Sequence, residues 1–485
     1  MTTTDLGGRA ARGALSTGVG LIIRLVIQLS TVVVLSRLLA PRDYGLVAMV
    51  LAIAGIGDIL RDFGLSSAAI QAKELSFAQR SNLFWTNTAI GFLLGIVMFA
   101  LAVPISNFYD EPALVPIART VAVTFLLNGM STQYRADLVR AMRFKVVATI
   151  DVVAPAAALV VAVVLAIAGA GYWALVSQQI VMALTALVGT AFIAHWLPQR
   201  IDRTAPMRRL YTYGGSLLGS QIIGYVANNV DSLTIGHRFG ATPLGLYNRA
   251  FQLLMNPLNQ VRAPSTTVAL PVLSRASDTP QFDSIVWNGQ LVLGYPITIG
   301  LALLAGVAEP TVAIMLGPQW QQVPPILRLL AIAGIFQTLA YVGYWVYLAR
   351  GLTRELLQYT LMSAAIRIAC VIGGSTWGVV GVAAGYALAP ALAWPLSLWW
   401  LSRSTRLKVG ALYSGAARIL VVGLVAGTAS AAASWALRDE SPWWQVCAGG
   451  LAGLAAVAMV VLVLPPMRRD VAVLRRAGKA ALRRG

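Results

Sequence analysis

Charged residues make up only 11% of this 485-residue chain, against roughly 25% in ordinary soluble domains. A water-facing surface cannot be assembled from so few. With 58% apolar residues and a mean hydropathy of +0.73, the missing aqueous surface is expected to face lipid. Carboxylates are scarcest, 18 against 37 Lys and Arg, which leaves a formal net charge of +19. The cations do not gather on one face among aromatics, so a nucleic-acid-binding protein is excluded. They sit in short clusters between long apolar runs.

Two cysteines, Cys370 and Cys447, lie far apart in apolar stretches. They cannot form a disulfide framework or a CxxC metal site, and both read as small buried apolar residues. The two histidines, His195 and His237, stand near helix ends without HExxH spacing, so no metal site is expected. No GxxxxGKS/T loop occurs; an ATPase domain is therefore absent from this sequence, and no cofactor is expected.

A hydrocarbon core ~30 Å thick needs ~20 helical residues to cross it. Runs of that size recur at 15–38, 44–68, 82–106, 114–133, 146–169, 171–194, 214–238 and 244–271, then at 283–307, 324–348, 355–375, 377–400, 411–437 and 443–464. The first run follows a short leader with Arg9 and Arg12 and is too long for a signal-peptide core of roughly 7–15 residues, so it reads as a retained span. Lipid satisfies no backbone groups, so all of these runs are expected to be helices. The fold class expected is all-α integral membrane with about fourteen transmembrane helices.

Alternate connections carry unequal charge. One side collects Arg9 and Arg12, Lys73 and Arg80, Arg135 to Lys145, Arg200 to Arg209, Arg262 and Arg275, Arg350 and Arg354, Arg403 to Lys408, and the tail from Arg468 to Arg484. The other holds only Arg37, Arg42, Arg238 and Arg438, a ratio of 26 to 4. Such asymmetry assigns both termini to the cytoplasm and calls for an even number of spans. In the tail, Val471, Leu474 and Ala477 oppose several arginines at helical spacing, as in a helix lying on an anionic inner leaflet; a frayed tail that only enforces topology fits equally well.

The chain also repeats itself. Arg37-Leu-Leu-Ala-Pro41-Arg-Asp-Tyr-Gly45-Leu46 is echoed by Arg238-Phe-Gly-Ala-Thr-Pro243-Leu-Gly245-Leu246, with the two Gly-Leu pairs 200 residues apart. Six spans separate them, so the halves enter the membrane in the same sense, as in transporters built from parallel repeats. The organisation expected is a six-helix bundle over 1–200, a second over 201–410, two accessory helices over 411–464 and a basic cytoplasmic tail over 465–485.

A charge near the bilayer centre costs ~2.5–3.5 kcal/mol, so each one calls for a reason. Arg24 is expected ~13 Å above the cytoplasmic start of its helix, with Gln28 one turn further on the same face, and Arg367 ~18 Å up its own helix. A water-filled cationic cavity would explain them. Asp58, Arg61 and Asp62, three or four apart, should pair locally; Arg119, Arg328 and Arg418, near helix ends, can snorkel. Asp231 and Arg249, on adjacent helices, are a candidate ion pair. Gln221, Tyr225 and Asn228 form one polar stripe, and Asn248, Gln252, Asn256 and Asn259 another. These could be interhelical hydrogen bonds or a wet path for a hydroxyl-rich ligand. Pro257, Pro264 and Pro271, seven apart, predict a bent or segmented eighth helix.

The strings RLLAPRDYGLVAM (37–49), DFGLSSAAIQ (62–71), LVRAMRFK (138–145), DSLTIGHRFG (231–240), GLYNRAFQL (245–253) and LPVLSRAS (270–277) resemble the polysaccharide-transporter branch of the multidrug/oligosaccharidyl-lipid/polysaccharide flippase superfamily, in particular its Wzx-type and colanic-acid-exporter-type members. The resemblance implies two six-helix bundles in a V, two accessory helices, and a bacterial inner-membrane flippase. Its cargo would be an oligosaccharide on polyprenyl pyrophosphate, with glycan polymerase and glycosyltransferases as further partners. Relatives hold the pyrophosphate with lumenal arginines, a role that passes to Arg24 and Arg249; for Arg367 it rests on depth alone. With them, Gln28, Asn228, Gln252 and Asn256 make up the expected pyrophosphate and sugar path. Guanidinium suits this cargo because it binds phosphate oxygens bidentately and stays charged. A multidrug or cation antiporter of the same superfamily would instead hold carboxylates deep in its core, and a membrane glycan polymerase or ligase would need a large outer loop, whereas the longest expected here is 308–323. A non-transporting scaffold would tolerate loss of Arg24 or Arg367.

Overall fold

The computed structural model describes residues 23–62, 65–72, 74–405 and 407–482, with side chains at 62, 67, 68, 209, 211–223 and 477–482 outside the description. Arg9, Arg12, Lys73, Arg406, Arg483 and Arg484, the first eight residues of the 15–38 span, and the side chains of Gln221 and Ala477 therefore lie outside the described residues. Every regular element among the described residues is helical. Helix α1 covers 23–38. It is followed by α2 (Pro41–Asp62), α3 (Leu65–Gln71), α4 (Phe77–Tyr109), α5 (Leu114–Arg140), α6 (Phe144–Ile167), α7 (Tyr172–Ala194), α8 (Arg208–Phe239) and α9 (Ala241–Arg275). The rest of the chain forms α10 (Phe282–Gly306), α11 (Ala308–Met315), α12 (Val323–Ala349), α13 (Thr353–Gly374), α14 (Gly378–Ser404), α15 (Val409–Ala436), α16 (Pro442–Val463) and α17 (Pro465–Leu482).

Ten stretches among the described residues are long and apolar enough to cross a bilayer, one of them, Thr353–Ser404, holding both α13 and α14. Their outward side chains are large and apolar: Phe92, Leu93, Val160 and Leu451 all stand exposed. That pattern is costly in water and expected in lipid.

The chain divides into two compact units, Met1–Gly245 and Leu246–Gly485. In the first, α4 packs along α5, α6 along α7, and α2 along α5 and α8. The echoed turns meet there. A Cβ on Gly45 would fall 2.8 Å from the Ala241 Cα and closer still to its carbonyl oxygen; one on Gly245 would fall 2.8 Å from the Pro41 carbonyl carbon. The two helix starts thus press backbone against backbone, reciprocally, with the small residue of each repeat admitting the other.

In the same unit Asn82, buried, holds the 195–207 connection: its Nδ2 donates to the Asp202 carbonyl at 2.6 Å and its Oδ1 accepts from the Asp202 N–H at 2.9 Å. The Thr204 hydroxyl and backbone N–H, both donating to the Asp202 carboxylate, hold that acid below its ordinary range.

The second unit is built on a core of buried Tyr295, Val342, Trp345, Tyr347, Leu398 and Ile419 from α10, α12, α14 and α15. The 308–323 connection is folded: α11 and a 3-10 turn at Pro318–Trp320 fill it, with Trp320 wholly buried.

Several expectations are corrected. Helix α4 starts five residues before the apolar run at 82, because Ser76 and Gln79 form a capping box (Ser76 Oγ accepting from Gln79 N, Gln79 Oε1 from Ser76 N). Of the bend or break expected in α9, the break does not occur: the helix runs continuously through Pro257, Pro264 and Pro271. The Ser265 and Thr267 hydroxyls donate back to the carbonyls of Arg262 and Pro264 within it, local side-chain bonds that tie these polar groups to their own helix. Cys447 is exposed rather than buried, and Cys370 is half-buried. Arg418 does not snorkel to water; it pairs with buried Asp470. Arg61 does pair locally with Asp58 at 3.3 Å and also donates to Thr132.

Candidate functional site

Arg24 is exposed in the first described turn of α1, and Gln28, one turn on, is half-buried. With exposed Asn228 and buried Asp231 on α8 they belong to the first unit; Arg249, Gln252, Asn256 and Arg367 belong to the second.

In the second unit α9 carries the polar stripe read from the sequence. Buried Arg249 donates to Gln252 Oε1 at 3.0 Å, and Gln252 Nε2 donates to Asn248 Oδ1. Half-buried Asn256 and exposed Asn259 continue the stripe. At ~100° per residue, Arg249 and Arg262 flank it from opposite sides, ~20 Å apart along the axis.

Arg262 is the residue that the sequence reading misplaced. Counted among the loop cations, it is in fact 4% exposed within α9. One amino group donates to Asn259 Oδ1 and, at 3.2 Å, to Gln337 Oε1. Gln337 stands at the middle of α12, ~21 Å from Val323, so this guanidinium is held at mid-span. The Tyr341 ring lies 5.8 Å from it. Gln337 Nε2 in turn donates to the Tyr386 hydroxyl at 3.3 Å, and the Arg367 guanidinium sits 5.4 Å from the Tyr386 ring centroid. Two arginines from α9 and α13 are thereby linked through one amide and one phenol from α12 and α14.

The electrostatics of this cluster are lopsided. Arg262 takes part in no ion pair among the described residues, and its Nε is buried without a hydrogen-bond partner. Amide oxygens and aromatic faces lessen the cost of a buried cation but do not cancel its charge. An oxyanion entering here would find a forked donor and a desolvated positive field. No group of three His, Cys, Asp or Glu among the described residues could hold a metal ion. The missed signal was in the sequence: Asn259 and Arg262 are i,i+3 inside the 244–271 span, so Arg262 needed a buried explanation from the outset.

The sequence family described as polysaccharide biosynthesis protein matches residues 34–325. The chain is 24% identical over 398 residues to the lipopolysaccharide biosynthesis protein WzxC of Escherichia coli (strain K12), covering 79% of each chain. It is 26% identical over 307 residues to the succinoglycan biosynthesis transport protein ExoT of Rhizobium meliloti (strain 1021), covering 62% of each. Among solved structures, the lipid II flippase MurJ in its inward closed conformation superposes with a TM-score of 0.67 at 14% identity, over 93% of this chain and 99% of that one. At such identity the likeness speaks for the fold alone.

Proposed function

Because the chain belongs to the polysaccharide biosynthesis protein family, we propose that it is a flippase carrying a polyprenyl-pyrophosphate-linked oligosaccharide from the inner to the outer leaflet of a bacterial cytoplasmic membrane. It is a carrier rather than an enzyme. Both termini lie in the cytoplasm, as the cation asymmetry requires, and two six-helix bundles alternate access to the cargo. Glycosyltransferases and a glycan polymerase act before and after it on the same lipid-linked sugar.

One observation carries the reading: Arg262 is buried at mid-span among neutral partners. An intramembrane charge left uncancelled by the protein marks a place where a ligand supplies the counter-charge. The pyrophosphate head is the anionic part of the cargo. Arg262 and Arg367 receive it on the second unit, with Arg24 and Arg249 as further arginines on its route. Gln252, Asn256, Gln28 and Asn228 offer the sugars hydrogen-bonding partners.

The test removes the charge. Arg262→Gln replaces the guanidinium by a shorter, neutral amide. The expected result is loss of surface-glycan export with normal protein level and insertion, and the same for Arg367→Ala and Arg24→Ala. Wild-type export by Arg262→Gln would reduce the cluster to an interhelical hydrogen-bond hub and end the anion-site reading.

A further inference from the structure

The C-terminal helix α17 has a geometry that the transport site does not use. Helices α15 and α16 run antiparallel in close backbone contact: a Cβ on Gly453 would lie 2.8 Å from the Ala426 carbonyl oxygen, and one on Gly449 would lie 2.9 Å from that of Ser430. These two contacts set residue levels, so Val463 stands opposite Ala416. At the other end Trp435, Trp443 and Trp444 are all exposed, an aromatic belt marking one membrane interface. From Trp443 to Val463 the helix rises ~30 Å, the thickness of the hydrocarbon layer. Helix α16 therefore ends at the second interface, and α17 begins there.

The face that α17 turns inward is partly apolar and carries one acid. Met467 and Asp470 are buried, 4% and 2% exposed, and Val473 and Leu474 pack on the same core. Asp470 Oδ2 accepts from the Tyr295 hydroxyl and from Arg418 Nε, both at 2.8 Å, and Oδ1 accepts from the other end of the Arg418 guanidinium at 3.3 Å. Arg418 lies only two residues membrane-ward of the level of Val463. The apolar face expected to insert into lipid, including Leu474, is thus spent on protein. The acid in the middle of it is a peg.

The opposite face holds Arg468, Arg469, Arg475 and Arg476, all exposed. Positions seven apart differ by only ~20° around a helix, so the four make one stripe ~10 Å long. None takes part in an ion pair among the described residues. Arg468 also donates to the Leu462 carbonyl, fastening the stripe to the end of α16.

We propose that this stripe is a binding surface for the anionic phospholipid headgroups of the leaflet in which α16 ends, held against the second unit by the Asp470 peg and not by inserted apolar side chains. Cationic side chains at a charged membrane surface attract its anionic lipids, and a stripe ~10 Å long, with four guanidinium groups, engages more than one phosphate. Assignment to the inner leaflet follows from the orientation proposed above; binding to anionic lipid does not depend on it.

The test uses the full-length protein in detergent, titrated with phosphatidylglycerol or with phosphatidylcholine while thermal unfolding is followed. Wild type should melt higher with phosphatidylglycerol alone, by an increment that shrinks with salt. The quadruple variant R468Q/R469Q/R475Q/R476Q should lose that increment, with apparent affinity falling about fivefold per arginine, and the corresponding four-lysine variant should restore it. Asp470→Asn should lower both the basal melt and the increment. Arg262→Gln should keep the increment, which separates this surface from the transport site. A full increment in the quadruple glutamine variant would overturn the proposal. So would displacement of phosphatidylglycerol by inorganic pyrophosphate at low concentration, which would assign the stripe to the phosphorylated cargo.

Discussion

Replacing Gly45 with alanine puts a methyl carbon 2.8 Å from the Ala241 Cα and nearer still to its carbonyl oxygen. Ordinary carbon contacts need about 3.5–4.0 Å, so the starts of α2 and α9 would have to part by well over ~1 Å. No flexible side chain stands in the way to yield; both surfaces are backbone. Overpacking of this kind costs about 1–3 kcal/mol, and rigid neighbours put it at the upper end. For a unit of 245 residues that corresponds to a fall in Tm of roughly 5–10 °C. Fluorescence-detected melting of the detergent-purified protein measures it. Gly300→Ala is the control, because nothing lies within 4 Å of its added methyl and alanine favours a helix interior. The double variant Gly45→Ala/Gly245→Ala should fall by less than the sum of the single losses, since the first methyl already separates the backbones that the second would strike. Equal melts for Gly45→Ala and Gly300→Ala would refute the close reciprocal packing.

Two further outcomes concern the connections. Trp320→Ala should destabilise the protein by about 3–5 kcal/mol, because the indole is wholly buried under the 308–323 segment; a melt within 1 °C of wild type, on the order of a surface change, would contradict that burial. Asn82→Ala should release the 195–207 connection, which it holds through both amide atoms, at a cost of about 1–3 kcal/mol. Limited proteolysis should then cut between Arg200 and Arg208 faster than in wild type, and an unchanged cleavage rate would count against the hold of Asn82 on this connection.

The membrane class and the helical architecture were legible in the sequence because lipid imposes length and apolarity on every span, and neither depends on tertiary contacts. The 200-residue echo was legible for the same reason, as a pattern along the chain. What was not legible depended on neighbours. Arg262 looked like a loop cation because one more arginine on the basic side fitted the charge alternation; only Gln337 and Tyr341, 75 and 79 residues away, place it inside the unit. Arg418 looked free to reach water because its partner, Asp470, lies 52 residues on, beyond the whole of α16. The start of α4 was misplaced since a capping box is polar and hides from a search for apolar runs. Cys447 looked buried because hydropathy cannot tell a lipid-facing position from a packed one.

The mutual abutment of the two echoed turns ties together the histories of distant codons. A side chain arising at position 45 strikes the backbone leading into position 245, and the reverse holds equally. Neither half can drift at that spot without injuring its twin. Copies that have otherwise diverged are therefore compelled to stay alike there, and a chimera joining the first half of one such protein to the second half of another should assemble only where both donors bring a residue without a side chain.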